Sequence, residues 1–133
     1  MSEFEQIIEI FETKYVDAST LPKELISLWA KLAIADYERE VSSLNFDVQN
    51  EIFKNGISLT TMDVIANIMK LYYLEREFDR QNKKINIVGK DLSLNDTSNA
   101  KKMTLAELEY FKSKVNLLLD QAKMPAYGGE SNG

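Results

Sequence analysis

At three places in this chain a hydroxyl residue followed three positions later by a carboxylate opens a run of apolar residues spaced by three and four. Ser2 with Glu5, Thr60 with Asp63 and Thr104 with Glu107 have the spacing of a capping box. In a capping box each side chain satisfies an amide that the first helical turn leaves unpaired. Behind them stand Phe4, Ile7, Ile8, Phe11 and Tyr15; then Met62, Ile65, Ile68, Met69, Tyr72 and Tyr73; then Leu108, Phe111, Val115, Leu118 and Ala122. Such spacing lays one apolar stripe along a helix, and the last run has the form of a coiled-coil seam. The pattern predicts a mainly α chain, a small bundle of three to four helices. Its 133 residues suffice for one core, placed in a single domain over 1–124.

A further helix is expected from about Pro22 to Ser43, with Ser19 or Thr20 as its cap. Leu25, Leu28, Trp29, Leu32, Ala33 and Ala35 line one broad face, widened by Ile26, Ile34, Tyr37 and Val41. A helix apolar over more than half its circumference needs cover on two sides, so this one is expected at the centre of the bundle with Trp29 in the core. Asn45 to Leu59 shows no clean period and reads as a partly ordered loop, in which Phe46 and Phe53 could form a contact surface. The following helix, capped by Ser58 or Thr60, is expected to end across Glu75–Arg80, where Arg76/Asp79 and Glu77/Arg80 sit at ion-pair spacing.

After Gln81 the period changes from 3.6 to 2. Lys84-Ile85-Asn86-Ile87-Val88-Gly89-Lys90-Asp91-Leu92-Ser93-Leu94 reads as a β-hairpin turning at Gly89-Lys90. With a two-residue turn, Ile87 faces Leu92 and Ile85 faces Leu94 on one side, and Asn86 faces Ser93 on the other. The expected hairpin therefore occupies 84–95, before the C-terminal helix. Its apolar face needs a partner surface, because an isolated hairpin is marginal in water. Pro125 to Gly133 has no core-forming content and reads as an extended C-terminal tail, free or held by a partner through residues such as Pro125 and Tyr127.

The chemistry available is narrow. The chain holds no cysteine and no histidine, which removes disulfides, thiol nucleophiles and every imidazole-based triad. No phosphate-cradling glycine loop or calcium-loop spacing occurs. Asp36, embedded in Leu32–Tyr37, is the one carboxylate of interest, expected to pair across the bundle with Lys70 or Arg76. The expectation is a protein that is not an enzyme and carries no cofactor and no metal.

The net charge of −5 argues against generic nucleic-acid binding. Residues 80–102 nevertheless carry Arg80, Lys83, Lys84, Lys90, Lys101 and Lys102 against Asp91 and Asp96 only. That cluster is either a solvated face or a contact for an acidic partner or phosphate backbone. The longest apolar-rich stretch, Val64 to Leu74, is interrupted by Asn67 and Lys70 and is too short to span a membrane, so no membrane partner is expected.

Taken together, Leu25–Glu38 (LISLWAKLAIADYE), Ile68–Glu77 (IMKLYYLERE) and Ile87–Leu94 (IVGKDLSL) resemble the head–tail connector, or adaptor, proteins of long-tailed bacteriophages. The resemblance covers about 20–125 and implies a structural virion protein at the head–tail interface, assembled in the host cytoplasm. It implies a homo-oligomeric ring of about twelve copies that joins the portal protein to tail or head-completion proteins. The ring would line the channel that double-stranded DNA traverses. On that reading Ile85, Ile87, Gly89, Lys90, Leu92, Leu94, Pro125 and Tyr127 bind partners, while Lys83, Lys84, Lys90, Lys101 and Lys102 face DNA or an acidic partner. The alternative is a small helical regulator or inhibitor that binds a single protein through the same hairpin and the Phe46/Phe53 loop.

Overall fold

The computed structural model describes residues 1–14, 21–88 and 93–124, with backbone alone at 82–88 and 93–101. The order is α1 (Glu3–Glu12), α2 (Lys23–Glu40), β1 (Phe46–Asp47), β2 (Ile52–Phe53), α3 (Leu59–Val88) and α4 (Ser93–Lys123). The fold is mainly helical with a small antiparallel two-strand hairpin.

Helix α1 begins at the capping box read from the sequence: Ser2 Oγ accepts from the Glu5 amide at 3.1 Å, and Glu5 Oε1 accepts from the Ser2 amide at 2.9 Å. Its stripe of Phe4, Ile7 and Phe11 is fully buried. Each such side chain contributes about 1.5–3 kcal/mol through the area it removes from water. Trp29 joins the core edge-on to Phe11, with ring centroids 6.1 Å apart. Helix α2 starts without a side-chain cap. The carbonyl of Pro22, held in extended backbone, accepts from the amides of Leu25 and Ile26. Ser19 and Thr20, the expected caps, lie outside the described residues. The helix stops at Glu40 rather than Ser43, where the Glu38 carboxylate takes the Leu44 amide at 2.8 Å.

The stretch 45–59 is more ordered than its sequence suggests. Phe46 pairs with Phe53 and Asp47 with Ile52, and the Asp47 carboxylate closes the turn by accepting from the amides of Gln49 and Asn50. Phe53 is buried, its ring 4.6 Å from Phe46, which stacks on Phe4 at 5.8 Å. These two phenylalanines therefore serve the core rather than a contact surface. Gly56 turns the chain into α3 at φ +70°, where a Cβ would stand 3.2 Å from Glu3 Oε2. That same oxygen accepts from the Ile57 amide, tying α1 to the entry of α3.

Two expectations are corrected. The first concerns 84–95: residues 84–88 are the last turns of α3 and 93–95 the first turn of α4. Positions 89–92, including Gly89, Lys90 and Leu92, lie outside the described residues, as does the tail 125–133 with Pro125 and Tyr127. Ile85 also fits a longer helical spacing, since Leu74, Phe78, Gln81, Ile85 and Val88 recur by four and three. A helix already formed adds residues at little cost, whereas a two-strand hairpin must be nucleated afresh. Helix α3 thus does not end at Arg80, and α4 begins eleven residues before Thr104. At 30 and 31 residues the two helices are each about 45 Å long.

The second correction concerns α2. It is not the central helix; α3 is, packing against α1, α2 and α4. Ile26, Trp29, Ala30, Ala33, Ile34 and Tyr37 of α2 are buried, but Leu28 and Leu32 remain 52% and 48% exposed and Ala35 is exposed beside them. Helix α1 spans three turns and the β1–β2 hairpin two residues per strand, too little to cover a second face of an 18-residue helix.

Candidate assembly surfaces

Several polar groups inside the bundle hold it together, while Asn67 Oδ1 and Gln81 Oε1 are buried without a hydrogen-bond partner among the described residues. Lys70 of α3 is 4% exposed and donates through Nζ to the Lys14 carbonyl at 2.6 Å, just past the end of α1. Its ammonium lies over the rings of Tyr73 and Phe111, at 5.0 and 5.7 Å from their centroids. Burial pulls the Lys70 pKa below the ordinary lysine value, Lys14 adding to the effect and Glu107 of α4 opposing it. Lys14 in turn pairs with Asp63 at 3.0 Å. Asp36 accepts from Tyr72 and from Arg39, not from Lys70 or Arg76 as the sequence suggested, because one turn of α2 and the facing turn of α3 bring those donors nearest. Burial, with Asp36 second, raises the Tyr72 phenol well above the usual tyrosine range. Among the described residues no three metal-ligating side chains converge, and no helix is long and apolar enough to cross a membrane.

The surface offers more. Helix α2 carries Leu25, Leu28, Leu32 and Ala35 in a row, spaced three, four and three. Leu25 and Leu32 also border a groove of about 560 Å³ whose other wall is Tyr72, Arg76 and Asp79 of α3. Helix α4 has two seams. On the inner side Leu108 is buried, and Val115 and Leu119 join the core with Leu118 and Ala122 partly buried beside them; of the predicted seam Phe111 is half-buried, and Leu119 is an addition to it. The outer one is Met103, Tyr110, Leu117 and Met124, which are 74%, 61%, 57% and 61% exposed. These recur every seventh residue, with Ala106 and Ser113 exposed between them. The seven-residue recurrence was present in the sequence. It escapes a reading that looks for one apolar stripe per helix.

Lys70 of α3 faces Phe111 of α4, while Tyr72 borders the α2 groove. Helices α2 and α4 also meet directly at their C-terminal ends, where Lys123 pairs with Glu40 at 3.3 Å.

The residues singled out from sequence fare unevenly. Ile85 and Ile87 belong to the last turns of α3 and Leu94 to the first of α4, so no apolar strand face is built from them. Lys83 and Lys84 lie on α3, and Lys101 and Lys102 on α4, with Lys102 exposed. No protein-family model, curated protein or solved structure matches the chain.

Proposed function

We propose that this protein is a structural assembly subunit, in its narrowest form a head–tail connector that forms a ring between a phage portal and tail. One observation carries the reading: a single small chain leaves two unlike rows of large apolar side chains exposed, one on α2 and one on α4. A monomer has no use for either, and contiguous exposed apolar surface usually marks an interaction site. A subunit that joins unlike faces head to tail builds a ring when the rotation closes. The finer connector identity rests on the sequence patterns at 25–38 and 68–77; in the third, 87–94, residues 87–88 and 93–94 are helical and lend it no hairpin. Partners on this reading are further copies of the chain and the portal and tail proteins, with DNA in the channel.

The test is capture of the tagged chain from its native host, with the eluate imaged by negative-stain microscopy. Rings, or portal-like particles carrying this chain, are the expected result. A single co-purifying protein in a small equimolar complex, with no ring, replaces this reading with that of a regulator.

A further inference from the structure

We propose that subunits join by antiparallel docking of α2 from one copy onto α4 of the next, an inference that rests on the ring reading and supplies its contact. The faces are unlike, so pairing either with itself would leave the other bare; pairing one with the other covers both and propagates.

The residues favour one orientation. In an antiparallel pair of helices with seven-residue periodicity, each core position of one helix meets a complementary position of the other. Setting Leu28 beside Tyr110 places Leu25 against Ser113, Leu32 against Ala106 and Ala35 against Met103. Three of these four layers thus match a large side chain to a small one, which lets helices close to native packing density. The same register puts Lys31 beside Glu109 and Glu38 beside Lys102 at the rim. Parallel registers do worse: with Leu25 beside Met103, Glu24 meets Glu107 and Lys31 meets Lys114, and one heptad further on Asp120 falls on Ala35. Rim charges add little affinity, but like charges exclude wrong orientations. Lys31 also pairs with Glu51 of its own chain at 3.2 Å, which fixes its position at the edge of the face.

The chain has no cysteine, so engineered thiols report the contact cleanly. Leu32→Cys and Ala106→Cys, each purified alone, should stay uncrosslinked under mild oxidation, while their mixture should give a covalent dimer. The double variant should give a ladder ending at one closed species. Leu28→Asp, at a half-exposed site, should weaken self-association at least tenfold while leaving the helical circular-dichroism spectrum unchanged. If rings form but the mixture does not crosslink, the docking is wrong and the ring reading stands. Self-crosslinking of Ala106→Cys alone as the main product shows α4 pairing with itself and also overturns the docking. A chain that remains monomeric at every concentration, with no ladder, overturns both.

Discussion

Replacing Phe11 by alanine tests whether α1 is part of the core or a decoration on it. Phe11 is fully buried, and its ring meets Trp29 edge-on. Truncating a buried phenylalanine costs about 3–5 kcal/mol, the lost transfer energy plus the cavity left behind. Each kcal/mol moves the melting temperature of a domain this size by about 3–6 °C, so a fall of about 10–25 °C is expected. That is a large part of the total stability of a small domain, about 5–15 kcal/mol. Helix α1 has only ten residues and cannot hold its helical form once undocked. Amide exchange in Glu3–Glu12 should therefore accelerate together with the loss of global stability. The assay is urea unfolding followed by both circular dichroism and the fluorescence of Trp29, the one tryptophan in the chain. Val48→Ala, at an exposed site outside both apolar faces, is the internal control and should lie within about 0.5 kcal/mol of the parent. A Phe11→Ala cost below about 1 kcal/mol, or one equal to that of Val48→Ala, refutes the packing described.

Three further outcomes follow from local contacts. Tyr72 is held neutral by burial and by its hydrogen bond to Asp36, so its phenol should remain protonated in alkaline spectrophotometric titration well past the ordinary tyrosine midpoint; Tyr72→Phe should abolish that late step. Because its pKa is raised on folding, the stability it contributes is complete below the ordinary tyrosine value, about 10, and is lost as the pH climbs from there towards the folded value. The Asp47 carboxylate is pushed below the ordinary aspartate value, first by the side chain of Asn50 and then by its amide. Its contribution is present above that value and disappears as acid titrates the folded group, so the Gln49 and Asn50 amide resonances should shift together at a pH below the usual aspartate midpoint; Asp47→Ala should remove the transition. Backbone carbon shifts for 84–88 and 93–95 should be helical, and strand-like shifts there would restore the sequence hairpin in place of the long α3–α4 pair.

What the sequence made legible was local. The Ser2–Glu5 box, the buried stripe of α1, Trp29 in the core and the inner seam of α4 each follow from a few neighbouring residues and one period. The errors arose where two periods fit one stretch. Ile85, Ile87, Leu92 and Leu94 alternate like strand residues, yet Ile85 and Val88 also continue the four-three spacing of α3, and the continuing helix prevails. The 45–53 hairpin was hidden because its strands are two residues long and its turn is made by the Asp47 side chain rather than by a glycine. The excess apolar surface of α2 was read correctly from Leu25, Leu28, Leu32 and Ala35; the inference that the same chain would cover it was not. The outer seam of α4 was missed because its residues are single large side chains seven apart, a signal that emerges only once the helix is known to run unbroken past Met103.

The proposed ring rests on those two uncovered faces, and the mass of the purified chain in solution is its most direct test. Native mass spectrometry of the purified chain over a range of concentrations should show one closed species at a fixed high multiple of 15.2 kDa, with few intermediates. A monomer at all concentrations, or a dimer and nothing larger, would contradict the head-to-tail use of α2 and α4.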